Sequence, residues 1–156
     1  GSAWLTDPYD SSVGYPTHPL DCDLLTISHG HFDHADASWV RAKETVRTAG
    51  SFTVADFRGI AVAALHDDAG GRLRGENLVI VAEAEGLRVC HAGDLGHLLS
   101  DAQLAALGRV DVLLVPVGGL FYQELVLVTR HRGRFSTRNL GGCAFVPLIG
   151  EHGNRP

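Results

Sequence analysis

Apolar runs along this 156-residue chain are short, and their period changes often. "AWLT" (3–6) and "DLLTIS" (23–28) predict short buried strands, and the three prolines of the intervening "DPYDSSVGYPTHP" predict a loop. "DASWVRAKE" then predicts the start of a helix, with Asp36 or Ser38 as N-cap. "TVRTA", "SFTVADF" and "GIAVAAL" are rich in β-branched or apolar residues and predict strands punctuated by Gly50 and Gly59. "NLVIVAEA" and "GLRVCHA" predict a hairpin turning at Glu85-Gly86. "SDAQLAALG" predicts a helix capped by Ser100 and stopped by Gly108, and "DVLLVPV" (111–117) a buried strand. Dominant strands with interleaved helices predict a mixed α/β or α+β sandwich without internal repeats.

Composition narrows the class. Hydrophobic residues make up 45% and charged residues 20%, as in one ordinary globular domain. The net charge of −5 disfavours nucleic-acid binding by bulk electrostatics. No apolar run reaches membrane-spanning length, and "GSAWLTDPYD", which reaches a charge and a proline early, is not expected to act as a signal peptide. Cys22, Cys90 and Cys143 are odd in number and widely spaced, which signals neither a disulfide framework nor a cysteine-only zinc site. A cytoplasmic location is the expectation. Charge also marks a boundary. Residues 1–119 hold 8 basic and 16 acidic side chains, and residues 120–156 hold 5 and 2, so the balance turns from −8 to +3. A main domain over 1–119 followed by a divergent basic tail over 120–156 is therefore expected.

The chemistry concentrates in "SHGHFDHAD" (28–36). His29, His31, Asp33 and His34 follow directly on a predicted buried strand. In extended backbone, residues two apart point the same way, so His29 and His31 aim at one place and Asp33 and His34 at an adjacent one. Neutral imidazole and carboxylate bind borderline metals at about 2.0–2.2 Å, and two-metal hydrolytic sites hold their ions about 3.5–4 Å apart. The spacing suits a pair of metals better than a polar loop of hydrogen-bonded histidines. Four ligands do not complete two sites. His66, at the end of the strand "GIAVAAL", and Asp94, after a strand and a glycine in "VCHAGDLGH", are the candidates for the rest. Taken singly, a strand-end His and a Gly-Asp turn are common structural features.

"SHGHFDHAD", "ALHDDAGG" and "HAGDLGH", in this order, resemble the metallo-β-lactamase fold superfamily. "LTDPYDSSVGYP", "RGENLVIV", "LLSDAQLAALG" and "DVLLVPVGG" are similar to its branch of L-ascorbate 6-phosphate lactonase-like, metal-dependent hydrolases. The resemblance covers residues 3–119. It implies an α+β fold, an αββα sandwich with a binuclear site at one edge of the sheets, here incomplete. It implies that His29, His31 and His66 hold the first metal, Asp33 and His34 the second, and that Asp94 bridges them. Zinc is the implied ion, two per chain, with manganese the alternative. A metal-bound hydroxide is the implied nucleophile, with Asp33 orienting or deprotonating the water. The implied substrate is a small-molecule ester, lactone or phosphoester. Diiron oxidoreductases of this fold carry Glu at the second cluster position, and His31 there favours hydrolysis.

The match has gaps. The family's opening strands have no counterpart before "TDP", and its last His ligand lies in a motif that this chain lacks after Gly119. His152 and His131 are the substitutes on offer. Two other functions therefore stay open: an inactive or weakly metal-binding remnant of such a hydrolase, and a nuclease of the same fold. His91 is expected to hydrogen-bond behind the ligands and His97 to face substrate. Asp67 and Asp68 are expected to cap the loop or support His66. Arg72 and Arg74 are expected in a solvated hairpin loop, with contact to an anionic substrate the alternative.

Overall fold

The computed structural model describes residues 1–114, 116–118, 123–131 and 133–143. β1 (Trp4–Thr6), β2 (Leu20–Thr26) and β3 (Val40–Val46) form a wholly parallel sheet in the order β1-β2-β3. β4 (Gly50–Val54), β5 (Phe57–Leu65), β6 (Glu76–Ala84), β7 (Leu87–His91) and β8 (Val112–Leu114) form a second sheet in that order. It is antiparallel except for its last pair, β7 and β8. The expected hairpin turn at Glu85-Gly86 joins β6 to β7, with Ala84 opposite Leu87.

Consecutive residues of β2 face opposite sides, as the two-residue period of a strand requires. Leu24 joins Phe57 and Ala82 between the two sheets, with Trp4, Val46 and Phe52 around them. Leu25 joins Ile27 in a separate cluster, packed against Val40 and Ala42. Burying each leucine stabilises by roughly 2 kcal/mol. The far face of the second sheet, at Ala64, Val79, Val81 and Cys90, is covered by Leu107 of α1 (Asp101–Leu107). Ser100 caps that helix and Gly108 ends it, as the sequence predicts, and the Gln103 side chain completes the cap by accepting from the Ser100 N–H. The α+β class therefore holds, with sheet far in excess: α1 is the one α-helix among the described residues.

The helix expected from Asp36 does not form. Asp36 caps one 3-10 turn, Ala37–Trp39, by accepting from the Ser38 N–H, and the chain then extends as β3. Pairing with β2 and the packing of Val40 and Ala42 against Leu25 and Ile27 outweigh the helix propensity of Ala, Lys and Glu there.

β9 (Pro116–Gly118), β10 (Gln123–His131) and β11 (Arg134–Cys143) form a third, antiparallel sheet in the order β11-β10-β9. Phe135 of β11 lines an apolar cavity with Leu104, Leu107 and Leu113, so this sheet meets the body of the domain beside α1.

Candidate metal centre

β1, β2 and β3 run parallel, so their C-terminal ends share one edge; β5 and β7 also share a direction. Four of these strands deliver a functional residue just past their ends: Asp7 after β1, His29 after β2, His66 after β5 and Asp94 after β7. Backbone bonds clamp the ends together. Leu78 N–H donates to Ser28 O at 2.8 Å, His66 N–H to Gly75 O at 3.0 Å, and Gly96 N–H to Leu65 O at 3.0 Å. Buried Asn77 donates to Ala92 O and accepts from the Asp94 N–H at 3.1 Å, which fixes the turn carrying Asp94. Two glycines permit this closeness. A Cβ on Gly93 would stand 2.4 Å from Asn77 Oδ1, and one on Gly96 would stand 2.2 Å from His66 O.

The ligand-type side chains converge. Donor atoms of His29, His31 and His66 all lie within 4.8 Å of one another. Asp94 addresses two sides: Oδ2 is 3.0 Å from His66 Nε2 and 3.9 Å from His29 Nε2, while Oδ1 is 3.6 Å from His34 Nε2. His34 Nε2 also lies 3.7 Å from Asp33 Oδ2. His29, His34, His66 and Asp94 are buried. The described residues contain six buried side-chain polar atoms without a hydrogen-bond partner. Five are His29 Nε2, His66 Nε2, Asp33 Oδ1 and both Asp94 oxygens; the sixth is His97 Nε2. His66 Nε2 and Asp94 Oδ2 meet as an ion-pair contact at 3.0 Å. Folded proteins rarely leave buried polar atoms unmatched, and here they cluster where a cation would satisfy them together. The donor set, imidazole and carboxylate, fits zinc or manganese.

Asp7 organises the wall behind these ligands. Its carboxylate accepts from Ser28 N–H at 2.7 Å and Ser28 Oγ at 2.6 Å, and meets His34 Nδ1 at 3.0 Å and His91 Nε2 at 2.7 Å. Asp7, His29 and His34 also place donor atoms within 4.8 Å of one another. Asp7 is already saturated by hydrogen bonds, though, so its fit is to orient His34, whose Nε2 faces Asp33 and Asp94. Burial pushes the Asp7 carboxyl up, but the bonds from His34 and His91 outweigh it and hold it well below the usual carboxylate range. Burial and the neighbouring His34 lower His29 to about 4, so its ring is neutral at neutral pH. Burial lowers His34 too, yet Asp7 and Asp94 raise it on balance. Burial raises Asp94, and His66, His34 and His29 together bring it below its ordinary value.

The remaining expected residues fall as follows. His91 sits behind the ligands on Asp7. Asp67 accepts from the N–H groups of Ala69, Gly71, Leu73 and Arg74, which folds the loop after His66 onto itself. His97 Nδ1 bonds Leu98 O at 2.8 Å, and His97 lines a cavity that also touches His29 and His31. Arg74 lines that cavity, whereas Arg72 is not part of its wall. His152 and the side chain of His131 lie outside the described residues. The sequence reading missed Asp7 and Asn77 as site residues. The "TDP" segment was visible, but Asp7 stands 21 residues from Ser28, and only the parallel β1–β2 pairing closes that gap.

A two-sheet sandwich whose shared strand edge carries a buried His/Asp cluster of this kind defines a metal-site β-sandwich protein. The chain belongs to the β-lactamase superfamily: the profile of the "Beta-lactamase superfamily domain" matches residues 1–131. A UPF0173 metal-dependent hydrolase of Methanoculleus marisnigri is 30% identical, over 83% of this chain and 68% of its own length. A second, of Methanosphaerula palustris, is 32% identical over 77% of this chain and 65% of its own. A crystal structure from Thermotoga maritima, assigned as a Zn-dependent hydrolase of the metallo-β-lactamase superfamily, is 38% identical with a TM-score of 0.59. That match covers 76% of this chain and 54% of the solved one. A shorter stretch, 26% of this chain, is 63% identical over 43 residues to a protein-L-isoaspartate O-methyltransferase of Methanothermobacter thermautotrophicus, and spans 20% of that enzyme.

Proposed function

We propose that this chain is a zinc-dependent hydrolase acting on a small-molecule ester, lactone or phosphoester. In this reading His29, His31 and His66 hold one ion, Asp33 and His34 a second, and Asp94 lies between them. The carrying observation is the set of buried, unpartnered donor atoms at one strand edge, with both Asp94 oxygens among them. When bound, such ions acidify water and polarise the scissile oxygen. The chain's own residues do the rest. Asp7 holds the His34 ring in place through Nδ1. Asp33, half-buried with an unpartnered Oδ1, is the carboxylate placed to orient a water or take its proton. His97, tied through Nδ1 to Leu98 O, offers Nε2 as a hydrogen-bond acceptor at the cavity. Manganese is the alternative metal. No helix among the described residues is long and apolar enough to cross a membrane. A cytoplasmic location is supported by Cys22 and Cys90, both buried as free thiols.

The test is elemental analysis of purified protein alongside His31→Ala, with hydrolysis of generic lactone and phosphodiester probes. Two zinc ions per chain with turnover support the reading; no bound metal in the unmutated protein sinks it. One observation favours a second reading, a metal-binding remnant without turnover. Among the described residues the second ion would have only Asp33, His34 and Asp94, and the chain spans about two thirds of its hydrolase relatives. One bound metal without hydrolysis would decide for it. A nuclease of the same fold draws no support from the acidic body of the chain.

We also infer that residues 120–156 stand apart from the hydrolase unit of residues 1–119. Their charge reversal supports this.

A further inference from the structure

We propose that the cavity beside the metal centre is an anion subsite in which Arg47 and Arg74 grip a phosphate or carboxylate of the substrate. The proposal rests on the hydrolase reading, since it assigns that reaction an anionic substrate. The cavity holds about 630 Å³, a size that suits a small metabolite. His29 and His31 form part of its wall, so a molecule seated there touches the candidate metal ligands.

The two arginines come from separate parts of the chain and are each anchored next to the site. Arg47 is the first residue past β3, so it occupies on β3 the place that Asp7 and the histidine cluster occupy on β1 and β2. Val46 O, immediately before it, accepts from Ile27 N–H at 3.0 Å, two residues ahead of His29. Arg74 closes the loop after His66, and its N–H donates to Asp67 Oδ2 at 2.8 Å. That carboxylate fixes the loop with three further backbone bonds, so Arg74 starts from an ordered backbone. Among the described residues neither guanidinium has an ion-pair partner, whereas Arg41, Arg58, Arg88 and Arg109 all do.

Charge makes the cavity unusual for this chain. The formal net charge is −5, yet the charged residues lining the cavity are two arginines and Glu76. A planar guanidinium binds carboxylate or phosphate through paired N–H donors, and a bound cation at the neighbouring wall would add to the attraction. Ligands also gather at the carboxyl ends of parallel strands, where Arg47 stands. The Arg47 guanidinium is exposed and Arg74 half-buried, so either can be shortened without opening the core.

The experiment is calorimetric titration of the full chain with glycerol 1-phosphate and with glycerol, zinc-loaded and after chelation. The proteins are the unmutated chain, Arg47→Gln, Arg74→Gln and the double variant. Loss of one charge-assisted contact should weaken phosphate binding about tenfold, and the double variant should lose more, with the melting temperature unchanged. Glycerol binding should not respond. Unchanged phosphate affinity in the double variant overturns the proposal, and so does phosphate binding that disappears wholly on chelation, because the metals alone would then account for it. Hydrolysis of p-nitrophenyl acetate, a neutral probe, is followed in parallel. Arginine-dependent phosphate binding without that hydrolysis keeps the subsite and removes the hydrolase reading. Hydrolysis with arginine-independent phosphate binding does the reverse.

Discussion

His34 Nδ1 stands 3.0 Å from Asp7 Oδ2, and the same ring turns Nε2 to within 3.6 Å of Asp94 Oδ1. One imidazole thus links a carboxylate on the end of β1 to a carboxylate past the end of β7. Holding the rear nitrogen is what aims the front one. Asp7→Ala should lower affinity for the second metal about 10- to 100-fold and destabilise the fold by about 3 kcal/mol, because Ser28 and His91 lose their acceptor as well. Metal titration and chemical denaturation check both effects. An Asp7→Ala chain with unaltered metal affinity would mean that Asp7 orients nothing.

Acid should weaken the metal-free protein through His29. Its folded pKa of about 4 lies below the ordinary value of 6.5, so the unfolded chain takes up this proton first. The stabilisation from burying neutral His29 is complete above 6.5 and is lost as pH falls from 6.5 toward 4. His34, raised in the fold, works in the opposite sense: its contribution is present at low pH and fades as pH rises through its folded pKa. Melting curves of the chelated chain and of His29→Gln, recorded across that window, isolate the first effect. The slope with pH should be shallower in the variant.

The loop after His66 depends on one carboxylate. Burial pushes the Asp67 carboxyl up, but four backbone N–H groups outweigh this and hold it below its ordinary range. Asp67→Ala should release amide protection across residues 67–75 and reduce metal retention through His66. Hydrogen exchange followed by mass spectrometry reads the first consequence, and elemental analysis the second. Protection equal to that of the unmutated chain would contradict this role.

Gly96 packs against the main chain of His66 with no room for a side chain. Gly96→Ala should cost about 1–3 kcal/mol and shift His66 away from Asp94. Zinc affinity should fall along with stability. Gly75→Ala, whose Cβ would meet open space at a left-handed φ of +89°, is the control. It strains the backbone without crowding the site, so zinc affinity should hold.

If residues 120–156 lie outside the hydrolase unit, neither His131 nor His152 supplies a metal ligand. His131→Ala and His152→Ala should then each keep the zinc content of the parent chain by elemental analysis. Loss of one ion in either variant identifies the last ligand and extends the site into the tail.

Much of this was legible in the residues themselves. Apolar runs such as "NLVIVAEA" announced strands because a short run rich in Val and Ile bounded by a turn suits a buried strand, and Ser100 announced α1 because a helix start needs acceptors for its free N–H groups. The stretch that opens β3 misled, because Ala, Lys and Glu favour a helix locally while pairing with β2 is a long-range term that local propensity does not contain. Asp7 and Arg47 were missed for a related reason. Neither belongs to a local motif, and each gains meaning only beside residues about twenty positions away.

The sequence alone determined the inventory and order of donors: three imidazoles and a carboxylate packed into six residues, a later His at a strand end and a later Asp after a glycine. Ligand chemistry depends on side-chain type and short-range spacing, both of which are written in the chain. The tertiary structure decided which groups meet. Parallel pairing of β1, β2 and β3 lined up their carboxyl ends, and the second sheet set His66 and Asp94 against that edge. Such proximity comes from burying Leu24, Phe57 and Ala82 between two sheets, a collective outcome that no single segment encodes.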